Sequence, residues 1–499
     1  MIGYILTFNL IVGTGALALP KAFESAGYVL GILLLIISSF MSYVCATFVV
    51  EGMAIANAAS RRFKWKPGVE ASDNDLRSMY KIQERVEMST MARLFIGKYG
   101  LLFFNTIMTV YLFGDLVVYT AAVPKSIMNV ICDAEIMNDA AFHALKFHCL
   151  SQSVNGTTAN GQNECHEHWP EWLQRITVYR MAIFVFVCFV TPLVLVGVQR
   201  TKFLQLSTSI CRWTAFIVMI VLACLQLAKE GSPRIPQTYN IHGFGSLFGT
   251  TVYAFMCHHS LPSIVTPMKS KSHIFIYLGL VYALVLAFYL ALAVSGTFAF
   301  EHIFDVYSLN FLHSKTDQFY EVIINYFLAL FPVFTLTSNY PIVACTLINN
   351  LTVLSDLILE LSTQECNHSN DDKAKQNGEN KSKLADDTIS VQTAAHSRHH
   401  IIAFAVITLS TLVALFSDDI LILTSITGSY PGVGVQYIIP SLIAIYARRY
   451  CSRHMNDEVP RAVRSPFYSP VWPKLMLLWS AFTMVMVTLN FCHVFSYLP

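Results

Sequence analysis

What most constrains this chain is the recurrence of apolar runs of roughly 20 residues, the length a helix needs to cross about 30 Å of hydrocarbon. Eleven such runs can be marked, over residues 2–25, 28–57, 100–124, 176–198, 203–227, 244–267, 274–297, 319–352, 400–417, 420–447 and 474–497. Composition agrees: 13% of the 499 residues are charged, about half the fraction a water-facing surface carries. The expected fold class is therefore an all-α polytopic membrane protein, one transmembrane domain over 1–497, in contact with lipid and monomeric. Nothing points to nucleic-acid binding. The first run leads into Pro20 and Lys21 without a basic leader region or an Ala-x-Ala cleavage site, so it reads as a span and not a signal peptide.

Orientation follows from the basic residues, which gather in cytoplasmic loops. With the N-terminus cytoplasmic, the segments 58–99, 199–202, 268–273, 353–399 and 448–474 face inward and hold 24 of the 33 Lys and Arg. Eight lie outside, and Arg212 falls within the fifth run. The 132–175 loop then faces outward or into a lumen, where a sequon at Asn155 is open to glycosylation and disulfides form. Cys149–Cys165 is the expected bridge, because Cys132 sits near a membrane end. The 58–99 loop is charged, but Val86, Met88, Met91, Leu94 and Phe95 space out a short amphipathic helix for the membrane surface. The polar segment 355–399 reads as a disordered cytoplasmic loop. A plasma membrane and a lysosomal or other endomembrane fit this topology equally.

Two runs carry backbone-breaking residues in their middles. The first reads Asn9-Leu10-Ile11-Val12-Gly13-Thr14-Gly15, and the sixth Cys257-His258-His259-Ser260-Leu261-Pro262. Two glycines lower helix propensity by about 2 kcal/mol relative to alanines, and Pro262 frees a carbonyl one turn earlier. In lipid such loosened backbone survives only where it faces protein or a watery cavity. Runs one and six correspond if runs 1–5 and 6–10 form two inverted repeats, and paired broken helices at such positions mark a midplane solute site. The free N–H groups of half-helices suit a carboxylate, while unwound carbonyls suit Na⁺. The plainer alternative is that Gly-x-Gly merely allows close helix packing.

At these residues the sequence resembles the amino acid/auxin permease superfamily of amino acid transporters. The patterns Asn-x-x-x-Gly-x-Gly-x-Leu-x-x-Pro and Phe-x-Cys-His-x-x-Leu-Pro carry the resemblance. The strings FNLIVGTGALALPKAF, YLFGDLVVYTAAVP and AFMCHHSLPSIVTP are similar to the transmembrane protein 104 family in particular. The resemblance implies about eleven transmembrane helices: a 5+5 inverted-repeat fold, broken in helices 1 and 6, plus one extra helix. It also implies secondary active transport of a small amino-acid-like solute, coupled to Na⁺ or H⁺, with no cofactor. By position it implies a carboxylate held at Gly13, Thr14 and Gly15, with Cys257, His258 and Ser260 on the opposite wall. A Na⁺ site would draw on carbonyls near Asn9 and Val12 and on hydroxyls of Thr337 or Ser338. Relatives usually carry a polar N-terminal tail, whereas twelve residues precede Gly13 here, about 18 Å of half-helix.

Asp115 and Arg212 are the charges deepest in the runs, each costing about 2.5–3.5 kcal/mol at the bilayer centre, so both should face the bundle interior. They read as an ion pair across an offset of about 9 Å, or Asp115 reads as a proton-coupling residue. His258 and His259 stand about 100° apart on a helix and do not share a metal. They read as pocket lining, with His258 the side chain most able to titrate near neutral pH. No metal site is expected: Cys165-His166-Glu167-His168 lacks zinc-ligand spacing. Gly428, Pro431, Gly432 and Gly434 interrupt the tenth run, as a hinge or as a close helix crossing. No catalytic constellation stands out, so an enzyme is not expected. The competing reading to transport is a sensor or scaffold that keeps the solute site without moving the solute.

Overall fold

The computed structural model describes residues 11–64, 78–133, 173–196, 202–268, 271, 273–312, 319–368, 384–455 and 458–492. Among them the structure is all-helical and contains no strand. Nine helices are long and apolar enough to cross a membrane: Tyr28–Arg62, Lys98–Cys132, Arg175–Leu195, Ser207–Glu230, Ile274–Ala299, Tyr320–Leu361, Arg398–Phe416, Ile420–Met455 and Val471–Phe491. The first and sixth runs are absent from that set because each is interrupted. The first contributes α1 (Gly15–Ala26) and the sixth α7 (Phe244–Ala254) and α8 (Leu261–Val265). The helices that surround them are α2 (Tyr28–Lys64), α4 (Lys98–Asp133), α5 (Arg175–Val196), α6 (Lys202–Glu230), α9 (Ile274–Ala299), α10 (Phe319–His368), α11 (Leu384–Phe416), α12 (Ile420–Thr427), α13 (Ile439–Tyr450) and α14 (Val471–Phe491).

The two interrupted helices are the core. α1 and α7 pack on one another, α9 covers α1, and α12 covers α7. Every residue of α7 except Ser246 is buried. The outer helices turn large apolar side chains outward: Phe184 is 71% exposed and Leu478 67%, as residues facing lipid tails should be. Hydroxyls in the spans are neutralised locally. Those of Ser42, Thr120, Ser126 and Thr251 each donate to the carbonyl four residues earlier, which spares hydrocarbon an unpaired group.

α1 and α2 meet at Gly27, whose φ of +90° is a left-handed value that a side chain resists. A Cβ there would lie 2.6 Å from the Tyr239 Cα, because the loop before α7 is laced onto the corner. Tyr28 N–H donates to the Gln237 carbonyl and Val29 N–H to that of Thr238. In the tenth run, Gly428–Gly432 and Gly434–Ile438 form π-helical turns between α12 and α13. A Cβ on Gly428 would fall 1.9 Å from the Gly249 carbonyl oxygen, and one on Gly249 would fall 2.1 Å from that of Ser425. These glycines make a backbone-to-backbone crossing of α7 with the tenth run, as the packing alternative expected.

The two ends of the bundle are held by charge. At one, Arg448 grips the buried Glu51 through Nε and Nη2, both at 2.8 Å, and donates to the Tyr468 carbonyl. Removing one member of such a pair leaves the other buried and costs about 3–5 kcal/mol. At the other, Glu24 joins Lys21 and Arg234, while Lys125 joins Asp305 and the Asp418 carbonyl.

The short helix expected in the 58–99 segment is α3 (Met88–Phe95). Its stripe of Met88, Met91, Ala92 and Phe95 is buried against the bundle and so is not offered to lipid. Both ends of the 355–399 segment are helical, α10 running to His368 and α11 starting at Leu384. Their polar stretches are braced by Arg398–Asp356 and Lys98–Glu360 pairs, each at 2.9 Å; residues 369–383 lie outside the described set.

Candidate functional site

The first break spans Val12–Thr14, between a helical Ile11 and the start of α1. Thr14 is the N-cap of α1, yet its side chain makes no capping bond. Its hydroxyl is instead 3.0 Å from that of Tyr253, on α7. The start of α1 therefore keeps N–H groups without a side-chain cap, on the positive end of the helix dipole. The carbonyls at this break are all engaged. That of Ile11 accepts from the Tyr289 hydroxyl (3.0 Å) and that of Val12 from Arg212 Nη1 (2.8 Å). Those of Gly13 and Thr14 accept from the Ala16 and Leu17 N–H groups.

The two glycines of the break do different jobs. Among the described residues a Cβ on Gly13 would meet nothing closer than the Ile11 carbonyl oxygen at 3.9 Å, whereas one on Gly15 would lie 2.6 Å from the Ala254 Cα. Gly15 is where α1 touches the end of α7. Gly13 and Thr14 are half-buried and give the break its open side.

The second break follows Ala254. Phe255–Cys257 are non-helical, His258–Ser260 make one 3-10 turn, and α8 begins at Leu261. Its side chains are packed. Phe255 stacks on Tyr282 at 6.2 Å and meets Tyr289 edge-on at 5.3 Å, and Cys257 Sγ is 3.2 Å from the Tyr282 hydroxyl. The Tyr289 hydroxyl is also 3.0 Å from the Ala254 carbonyl. One phenol on α9 thus spans both breaks, sharing its proton between a freed carbonyl of each.

The resemblance set Cys257, His258 and Ser260 on one wall, and the structure divides them. Cys257 and His258 are fully buried, while Ser260 is half-buried. His258 Nε2 is 2.9 Å from the Ser42 carbonyl, so the ring is tied to α2. Donation to that carbonyl puts the proton on Nε2, and Nδ1 is buried without a partner. His259 instead faces Tyr111, ring centroids 5.9 Å apart.

Asp115, 8% exposed, accepts a short hydrogen bond from the Tyr253 hydroxyl, and Tyr119 lies beside it. It forms no ion pair with Arg212, contrary to the pairing expected from the sequence. The depth offset explains why: Arg212 reaches the Val12 carbonyl, while Asp115 reaches Thr14 through Tyr253. The two charges serve opposite ends of the same three-residue break. Ser338 donates to the Thr335 carbonyl on its own helix at 2.9 Å. Among the described residues no hydrogen bond ties it or Thr337 to the break. α10 packs chiefly on α4, α6 and α11.

Asn9, Asn155, Cys149 and Cys165 lie outside the described residues. Cys132 is disulfide-bonded, although its place near a membrane end had set it aside. The residues that sequence reasoning missed are Tyr253 and Tyr289. A tyrosine in an apolar span counts there as one more aromatic, and only its hydroxyl, which must find a partner when buried, marks it as polar.

Comparison with known proteins gives the chain a family and relatives along nearly its whole length. The family model described as "Transmembrane amino acid transporter protein" matches residues 1–487. The chain is 44% identical over 505 residues to a protein named "Transmembrane protein 104 homolog" in Caenorhabditis elegans, covering 98% of this chain and 96% of the relative. It is 35% identical over 526 residues to "Transmembrane protein 104" of Homo sapiens, covering 98% and 95%. A Drosophila melanogaster homolog is 32% identical over 544 residues, covering 98% and 96%.

Proposed function

Since the chain belongs to the transmembrane amino acid transporter family, with relatives named transmembrane protein 104, we propose that it is a secondary transporter of small amino-acid-like solutes. Adding the two interrupted helices to the nine continuous ones gives eleven spans. In this reading the first ten form two inverted repeats of five, broken in the first and sixth, with one extra helix. The observation that carries it is the junction of the two breaks, where the Tyr289 hydroxyl lies 3.0 Å from both the Ile11 and the Ala254 carbonyls. Two half-helices that end on each other at the core can rock apart without stripping a long ladder of hydrogen bonds.

The solute's carboxylate sits at the start of α1, on the N–H groups of Gly13, Thr14 and Gly15. Its remainder lies toward the half-buried Ser260 and the Cys257 wall. Two hydrogen bonds to a charged group contribute about 1.5–3 kcal/mol each, and the helix dipole adds about 0.3–1 kcal/mol. Together these reach affinities from roughly millimolar to micromolar, strong enough to select a solute and weak enough to release it. Uptake runs on an Na⁺ or H⁺ gradient, with Asp115 the buried carboxylate joined to the break through Tyr253 and Thr14. The basic loops favour a cytoplasmic N-terminus, and glycosylation at Asn155 stays part of the proposed topology, whereas the bonded Cys132 argues against the Cys149–Cys165 pairing.

The test is uptake of pooled labelled amino acids into proteoliposomes under imposed Na⁺ or H⁺ gradients, with Gly13→Val as control. Because a Cβ on Gly13 meets no described residue closer than 3.9 Å, that variant should fold and lose uptake. Folded, reconstituted protein that binds amino acids without flux would support the sensor or scaffold reading and overturn transport.

A further inference from the structure

We infer that the first break carries its own cation: the Arg212 guanidinium occupies the Val12 carbonyl where a sodium ion would be expected, so this site recruits no sodium. The inference deepens the transport reading and narrows its coupling ion.

Unwound carbonyls bind Na⁺ best where no donor competes for their lone pairs. Here the donors are already present. Ile11 has Tyr289, Val12 has Arg212, and Gly13 and Thr14 have the N–H groups of Ala16 and Leu17. At the second break the Ala254 carbonyl shares Tyr289 and that of Cys257 accepts from the Ser260 N–H. Of the hydroxyls near such a shell, Ser338 donates its proton to its own helix and Thr14 is paired with Tyr253.

Charge adds to this occupancy. Arginine stays protonated at any working pH, and its guanidinium is more weakly hydrated than an ammonium, so it can be held out of water. Nη1 is 2.8 Å from the Val12 carbonyl oxygen. A sodium ion sharing that oxygen would sit about 4 Å from a like charge, and at an effective dielectric of about 20 the repulsion weakens binding roughly a thousandfold. A fixed cation also does what a bound one would do: it neutralises the Val12 carbonyl at the break and leaves the uncapped N–H groups that open α1 to the solute's carboxylate.

The experiment uses the full chain in detergent, with thermal unfolding followed in sodium chloride and in choline chloride at equal ionic strength, and with tracer-sodium binding. The wild type should unfold at the same temperature in both salts and bind no tracer in a saturable way. Arg212→Ser, which removes the cation and offers a hydroxyl, should unfold earlier in choline and regain part of that loss in sodium. Saturable tracer binding by the wild type, or a sodium-specific rise of several degrees in its unfolding temperature, would overturn the inference. If Arg212→Ser does not fold, the wild-type measurements decide alone. Neither needs a substrate, so a protein that transports nothing would fail the uptake assay and still pass or fail here. Where uptake is seen, replacing sodium by choline should leave its rate unchanged within about twofold.

Discussion

The two breaks interrupt two helices at the centre of one bundle, and they are built differently. The first is backbone in a half-open setting: a Cβ on Gly13 would meet no described residue closer than 3.9 Å, α1 starts without a side-chain cap, and Arg212 and Tyr289 reach in from distant helices to hold its carbonyls. The second is a packed knot, with Phe255, Cys257 and His258 all buried and Phe255 held between two tyrosines. The difference divides labour. The first break offers a ligand its N–H groups, and the second supplies the rigid surface against which they are positioned. Substitutions at the second should therefore cost stability first, and those on the open side of the first should cost binding first.

The sharpest way to break this comparison is a pair of alanines. Gly15→Ala drives a Cβ to 2.6 Å from the Ala254 Cα, and with no flexible side chain to yield, the loss should be about 3 kcal/mol or more. Gly13→Ala should change stability by no more than about 1 kcal/mol while weakening solute binding. Thermal unfolding and size-exclusion profiles of the two proteins measure the contrast, and equal losses would erase it. At the second break, Phe255→Ala should cost about 3–5 kcal/mol, read as a lower unfolding temperature whether or not a solute is present.

Tyr289→Phe belongs to both breaks. It strips one proton from two buried carbonyls, for an expected loss of about 1–3 kcal/mol, and it should lower unfolding temperature and uptake together. An unchanged unfolding temperature would mean that the carbonyls find other donors. The smallest expected effect is the coupling between Thr14→Val and Tyr253→Phe. Each single variant removes one end of a hydroxyl contact of 3.0 Å, and the double-mutant cycle should return about 0.5–1.5 kcal/mol. Strict additivity would disconnect Asp115 from the first break.

Much of the fold was legible because a bilayer leaves a sequence few options. Runs of about 20 apolar residues announce helices, and Gly13, Gly15 and Pro262 announce where two of them cannot continue. Long-range pairing was harder to read. Asp115 and Arg212 are the natural partners on a list of charges, yet the structure satisfies one with tyrosines and the other with a carbonyl. Thr337 and Ser338 lie in the expected span, and the bond the structure gives Ser338 is to its own helix. In each case the deciding quantity is which face of a lipid-embedded helix turns inward, and an apolar sequence shows no periodicity that records it.

The central claim, that the first break binds a solute through the N–H groups opening α1, has a direct measurement. Equilibrium binding to purified wild-type chain should be compared for the common amino acids and for their decarboxylated amines. At least one amino acid should bind, its amine should bind at least tenfold more weakly, and Gly13→Val should abolish the difference while remaining folded. Equal binding of an amino acid and its amine, or a preference untouched by Gly13→Val, would contradict the account.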